Sequence, residues 1–175
     1  AIPKDVSKPR SRACLRYFQK LADAIRSVKP DALLEFRQSY ATPQMLPFGT
    51  QFRAGDVPFD FMQNLYRLAQ IRLVVGDRVP CHADPIYFHP QEKPENAARH
   101  MIAALAGVPM LSMELSGLSA EHKRIIRFWL DFYKAHLGTL AMGRWDVIHT
   151  GDSLACLTAE GEKEAIAIVV AGGRE

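Results

Sequence analysis

The strongest constraint on the fold is an alternation of amphipathic segments with short apolar runs, punctuated by Pro and Gly, that continues to about residue 139. Apolar residues that recur every three or four positions predict four helices. These cover residues 14–28, 60–73, 95–106 and 120–137. Short apolar runs predict buried strands between them, at 31–36, 50–53, 78–83 and 108–113. Such alternation predicts an α/β fold with a parallel sheet covered by helices.

The pattern changes near Gly143. Three later segments alternate or run apolar between Gly-containing turns, at 145–149, 153–158 and 165–171. They predict consecutive antiparallel strands. We therefore predict two domains, an α/β unit over residues 1–140 and the start of an antiparallel β domain over residues 141–175.

Charge and cysteine content narrow the function classes. Lys and Arg number 22 against 19 Asp and Glu, a net charge of +3, and neither sign forms a run. Nucleic acid and a membrane surface are therefore not expected as partners. The cysteines, Cys14, Cys81 and Cys156, are odd in number and far apart, which favours reduced thiols and a cytoplasmic location over a disulfide framework.

Polar side chains gather where the predicted strands end, and ligands of parallel α/β proteins meet the carboxyl ends of the strands. The residues are Glu35, Arg37, Tyr40, Arg53, Asp56, His82, Asp84, Ser112 and Glu114. Carboxylates can act as nucleophile, acid or base, and Arg, His and Asp can bind vicinal hydroxyl groups. A carbohydrate is the predicted ligand. Nearby aromatic rings could stack on a sugar face, namely Phe52, Phe59, Tyr87 and Phe88.

Two of these positions have purely structural alternatives. Asp56 precedes a predicted helix, so it could instead be the N-cap of that helix. Glu35 and Arg37 could form a structural ion pair across a strand end. The sequence alone does not decide between these structural roles and the ligand-binding roles.

Metal binding and thiol chemistry are two further hypotheses for residues near the predicted strand ends. His82 and Asp84 share a strand face and could join His89, but this spacing is not distinctive of a metal site, and no metal or cofactor is predicted. Cys81 precedes His82, and neighbouring strand side chains point to opposite faces, so Cys81 is predicted to pack in the core. The helical residues His100, His122 and His136 are expected to be solvated or to cap helices.

Three stretches resemble the second half of the catalytic barrel in melibiase-type α-galactosidases of glycoside hydrolase family 36 and their bacterial relatives. They read EFRQSYATPQ, then FRAGDVPFDFMQNLYRLAQIRLVVGDRVPCHADPIYFHP, then GVPMLSMELSGLSAEHKRIIRFWLDFY. The resemblance covers about residues 30–140. It implies the second half of a (β/α)8 barrel, followed by an antiparallel β domain.

The same resemblance implies part of a retaining glycoside hydrolase that acts on α-linked sugars, with α-galactosides as a candidate substrate. Asp56 takes the position of the general acid/base. Residues in hydroxyl-binding positions are Glu35, Arg37, Arg53, His82 and Asp84. The nucleophile falls upstream of Ala1, so this chain alone is expected to be inactive.

The alternative is a sugar-binding or structural half-barrel that performs no chemistry. An oligomer or a missing amino-terminal half would then cover its open sheet edge.

Overall fold

The computed structural model describes residues 10–57 and 59–170. The helices are α1 (Arg10–Val28), α2 (Phe61–Val75), α3 (Pro94–Ala104), α4 (Ala120–Ala135) and α5 (Leu137–Met142). The strands are β1 (Glu35–Arg37), β2 (Gln51–Arg53), β3 (Cys81–His82), β4 (Arg144–Thr150), β5 (Ser153–Glu160) and β6 (Ala165–Val169). Two short 3-10 turns follow β1, at Gln38–Tyr40 and Pro43–Met45. Within the described part of the chain, no helix has the length and hydrophobicity needed to cross a membrane.

The first sheet is parallel, with the strand order β1-β2-β3. Its register places Arg37 opposite Arg53 and Arg53 opposite His82. Because directly paired positions in a sheet share a face, these three side chains form one row at the carboxyl edge. Single parallel bridges continue the sheet beyond β3, joining His82 to Val108 and Ile86 to Leu111.

The prediction of a half (β/α)8 barrel is wrong. The chain forms a small α/β fold with a three-stranded parallel sheet and a separate three-stranded antiparallel sheet. The run at 108–113, predicted as a fourth strand, contributes only isolated bridges. Pro109 lies inside that run and has no N–H to donate, so a regular ladder is interrupted there.

The second sheet is antiparallel and has the order β4-β5-β6. Its strands agree with the three predicted segments to within a few residues, although the predicted end at Ala171 lies outside the described residues. The sequence prediction missed α5, which begins directly after the cap of α4 at His136. Gly138, which directly follows the helix predicted over residues 120–137, lies within α5.

The two sheets share one cluster of buried apolar residues, which includes Phe52 and Leu68 as well as Leu157 of β5. Arg72 of α2 connects the two parts. Its guanidinium carbon lies 4.0 Å from the ring centroid of Trp145, and its Nε donates to the Ala106 carbonyl oxygen at 2.8 Å. Burial lowers the pKa of Arg72, and Cys81 and Asp77 oppose that shift.

Gly107 marks the closest approach between the loop after α3 and the parallel sheet. A Cβ added there would lie 2.5 Å from the Cys81 carbonyl oxygen and 2.7 Å from Leu68 Cδ2. We expect Gly107→Ala to lower the free energy of unfolding by about 1–3 kcal/mol, because the packed backbone cannot yield without strain. Urea denaturation measures the loss.

Gly117→Ala is the matched control, because an added Cβ there meets no atom within 4 Å. Its stability should stay within about 0.5 kcal/mol of the parent chain. Equal losses in the two variants would contradict the close packing at Gly107.

Candidate active site

The strand register brings all six predicted site residues together at the carboxyl edge of the parallel sheet. We call this set the charged rim. It consists of Glu35, Arg37, Arg53, Asp56, His82 and Asp84.

Arg53 is the centre of the charged rim. Its Nε donates to Glu35 Oε1 at 3.0 Å, and its Nη1 donates to Asp84 Oδ1 at 3.0 Å. The same Nη1 lies 3.7 Å from Asp56 Oδ1. One guanidinium therefore links carboxylates from β1, from the loop after β2 and from the loop after β3.

Asp84 is the buried anchor of the charged rim, with a side chain only 4% exposed. Its second oxygen, Oδ2, accepts a hydrogen bond from the Val57 N–H at 2.7 Å. The side chain of Asn64 then fixes the Asp84 backbone, since Nδ2 donates to the carbonyl oxygen and Oδ1 accepts from the N–H, both at 3.0 Å. Both carboxylate oxygens are engaged, so Asp84 positions the loops and is poorly placed for proton transfer.

Glu35 is also fully engaged. Gln51 Nε2 donates to Glu35 Oε2 at 2.9 Å, and Arg53 holds Oε1. His82 Nδ1 lies 3.3 Å from Glu35 Oε2 but is not aligned for a hydrogen bond, and it is buried. Burial lowers the pKa of His82. Glu35 opposes that shift, and Arg53 adds to it.

Asp56 differs from the other carboxylates of the charged rim, because its side chain is 65% exposed. Arg37 donates to Oδ1, and no donor among the described residues reaches Oδ2. The N-cap reading does not hold, since Asp60 caps α2 by accepting from the Gln63 N–H at 2.9 Å. Asp56 therefore presents one oxygen to solvent.

The other alternative, an ion pair between Glu35 and Arg37, does not form. Glu35 pairs with Arg53, while Arg37 pairs with Asp56. The partners are exchanged because the parallel register places Arg53 directly beside β1. A sequence alone does not show which strand lies next to which.

Three other residues named at strand ends have different partners. The Tyr40 ring packs edge-on against Phe18. Glu114 accepts from the Ser116 hydroxyl, and the Ser112 N–H donates to the Ile86 carbonyl oxygen at 3.0 Å. Within the described ranges, no hydrogen bond or ion pair joins them to the six charged residues.

The prediction that four aromatic rings could stack on a sugar is wrong for two of them. Phe52 and Phe88 lie in the core, at 0% and 1% exposure, and cannot stack on a ligand. Phe52 occupies the middle of β2, where its side chain faces away from the row of Arg53. Phe59 is exposed and Tyr87 partly so. Their ring centroids lie 4.9 Å apart in an edge-to-face arrangement.

The predicted place of Cys81 is confirmed, because its side chain is buried. Burial raises its pKa to about 11, so the thiol stays protonated at neutral pH and is not a nucleophile.

The expected solvation of the helical histidines is wrong for His100 and His122, both of which are buried. Each ring packs against Phe88. His122 Nε2 lies 2.9 Å from the Glu92 carbonyl oxygen. His100 and His122 lie on the apolar faces of α3 and α4. The helical periodicity of the sequence could have predicted their burial.

No group of three or more His, Cys, Asp or Glu side chains arranged to hold a metal ion occurs among residues 10–57 and 59–170. Compared with known families and with curated proteins, the chain matches no family model and no curated sequence.

The half-buried His82 gives a testable pH dependence. The unfolded imidazole takes up a proton near its ordinary pKa of 6.5, whereas the folded one does so at lower pH. Stability is therefore complete above about pH 6.5 and falls as the pH decreases below that value, because the unfolded chain binds more protons. His100 adds a fall in the same direction, since burial also lowers its pKa.

We expect His82→Gln to lose less stability than the parent chain between about pH 7 and pH 5.5. Urea denaturation across that range gives the slope. His149→Gln, at an exposed position of β4, is the control and should keep the parental slope. An unchanged slope in His82→Gln would show that His82 does not titrate differently in the folded state.

Proposed function

We propose that the charged rim binds the hydroxyl groups of a carbohydrate and that Asp56 is the general acid/base of a retaining glycoside hydrolase acting on α-linked sugars. The observation that carries the proposal is the contrast among the three carboxylates of the rim. Glu35 and Asp84 have both oxygens engaged, whereas Asp56 is exposed and keeps Oδ2 available. A proton donor has to reach solvent and substrate in this way.

The chemistry of the charged rim suits a sugar. A hydroxyl group donates one hydrogen bond and accepts others, so it can bridge a carboxylate and a guanidinium. Arg37, with a side chain 49% exposed, sits beside Asp56 and supplies free donors next to an acceptor. Such alternation of donors and acceptors on fixed strands favours vicinal hydroxyl groups over an apolar ligand.

Catalysis requires a second carboxylate. Retaining glycosidases place a nucleophile about 5 Å from the acid/base. Glu35 and Asp84 are both hydrogen-bonded to Arg53. The proposed nucleophile is therefore a residue outside the charged rim. Its negative charge would also favour the protonated form that Asp56 needs as an acid.

A second candidate function is sugar binding without catalysis. The observation that favours it is the ion pair between Arg37 and Asp56. A neighbouring guanidinium stabilises the carboxylate anion, which accepts hydrogen bonds from hydroxyl groups but donates no proton.

Both candidates predict that the chain binds a sugar at the charged rim. We expect methyl α-D-galactoside to shift backbone amide resonances of residues near 35–37 and 53–57 in heteronuclear NMR titrations. Asp56→Asn and Arg37→Gln should each weaken binding by about three- to tenfold, because each removes one charge-assisted hydrogen bond.

Glu160→Gln is the control for this titration. Glu160 is exposed and pairs with Arg144 on the antiparallel sheet, so its substitution should leave the affinity unchanged. Saturation with no shifts near the charged rim, or equal effects of all three substitutions, would contradict the binding site.

Proton donation separates the two candidates. In a protein that joins this chain to the nucleophile, Asp56→Ala should slow hydrolysis of a glycoside with a poor leaving group by about 10²–10⁴, the usual contribution of general acid catalysis. A substrate whose leaving group needs no protonation should still form the glycosyl-enzyme. Azide should then release a glycosyl azide of retained configuration, because azide attacks without losing a proton.

The product is identified by mass spectrometry and by its anomeric coupling constant. Equal loss for both leaving groups, with no azide product, would exclude Asp56 as the acid/base. The non-catalytic candidate would then gain support if Asp56→Asn still weakens binding.

A further inference from the structure

Two aromatic rings lie at the surface in the loops that follow β2 and β3. Phe59 is 68% exposed, and the partly exposed Tyr87 meets it edge-to-face with ring centroids 4.9 Å apart. We call this pair the aromatic step. Single exposed apolar side chains are ordinary on a protein surface. A contacting pair is a more specific feature.

The chain ties the aromatic step to the charged rim. Phe59 follows Asp56 by three residues in the loop after β2, and Tyr87 follows Asp84 by three residues in the loop after β3. The two loops are joined at their bases, because the Val57 N–H donates to Asp84 Oδ2 at 2.7 Å. The aromatic step therefore belongs to the same pair of loops that carries Asp56.

One chain neighbour of each ring is held by a hydrogen bond. Asp60, the residue after Phe59, caps α2 by accepting from the Gln63 N–H at 2.9 Å. Ile86, the residue before Tyr87, is fully buried, and its N–H donates to the Met110 carbonyl oxygen at 2.8 Å. These hydrogen bonds limit the freedom of the chain directly after Phe59 and directly before Tyr87.

Along the loop after β2, Asp56 comes between Arg53 of the charged rim and Phe59 of the aromatic step. Asp56 Oδ1 is directed to Arg37 and lies near Arg53, so the hydrogen-bonding groups lie towards β1 and β2. The aromatic step lies further along the loops that follow β2 and β3. A glycoside has the same division, with a sugar whose hydroxyl groups need polar partners and a leaving group beyond the glycosidic oxygen.

We propose that the aromatic step stacks against the ring of the leaving group, so that this chain selects glycosides whose leaving group presents a flat or apolar face. The shared chemistry is a ring face, which either an aryl group or the next sugar can supply. This inference rests on the proposed function, because it takes Asp56 as the group that contacts the glycosidic oxygen.

The experiment compares the affinity of the full chain for two α-D-galactosides, methyl and p-nitrophenyl, by NMR titration or calorimetry. The two ligands share the sugar and differ in the leaving group. We expect p-nitrophenyl α-D-galactoside to bind about two- to tenfold more tightly, the factor that one aromatic contact supplies. Phe59→Ala should remove that difference by weakening the binding of the p-nitrophenyl glycoside to about that of the methyl glycoside.

Matched variants identify the role of the ring. Phe59→Tyr should keep the preference, and Leu73→Ala, which truncates an exposed side chain on α2, should keep it as well. Tyr87→Leu gives a second measurement at the other ring of the step and should reduce the preference. Because Phe59 is exposed, Phe59→Ala should retain the helical circular dichroism of the parent chain.

The outcomes distinguish the two proposals. If the methyl glycoside binds at the charged rim and the p-nitrophenyl glycoside gains nothing, the aromatic step is overturned while the proposed function stands. A preference that survives both Phe59→Ala and Tyr87→Leu also overturns the step. If neither glycoside binds, the proposed function and this inference both fall. Where the p-nitrophenyl glycoside binds more tightly, a disaccharide with a second sugar in place of the p-nitrophenyl group shows whether a sugar ring gains the same affinity.

Discussion

The ion pair between Arg53 and Asp84 is the interaction on which the charged rim depends. Arg53 ends the central strand of the parallel sheet, and its side chain is 15% exposed beside an almost fully buried carboxylate. A buried charge is costly unless it is paired and hydrogen-bonded. The Val57 N–H satisfies the remaining oxygen of Asp84. This arrangement fixes the distance between the loops that follow β2 and β3.

The pair also explains how a site can be built on strands of two and three residues. Such strands supply few ladder hydrogen bonds, so side chains have to hold their ends together. Arg53 does so by binding Glu35 of β1 and Asp84 after β3. Asp56 is left at the surface above this network. The engaged carboxylates, Glu35 and Asp84, position the backbone, and in the proposed function the exposed Asp56 contacts the ligand.

The helices and the members of the charged rim were predictable from the sequence. The open, three-stranded form of the parallel sheet was not. Amphipathic periodicity is local, so it located α2 and α4 to within about two residues. Apolar runs look alike in a barrel and in an open sheet, and Pro109 removes a donor from the last run. Ion-pair partners depend on strand register, which is why Glu35 bonds Arg53 in place of Arg37. The misplacement of Phe52 was avoidable, because neighbouring strand residues face opposite sides and Arg53 at the rim puts Phe52 on the other face.

A double-mutant cycle on Arg53 and Asp84 tests the central claim most directly. Arg53→Met leaves a buried carboxylate without its cation, and the expected loss of unfolding free energy is about 3–5 kcal/mol. Combining it with Asp84→Asn should cost clearly less than the sum of the single losses, with a coupling energy above about 1 kcal/mol from urea denaturation. The same cycle on Arg53 and the exposed Asp56 should couple by under about 1 kcal/mol. Additive effects of Arg53→Met and Asp84→Asn, within about 0.5 kcal/mol, would contradict the account.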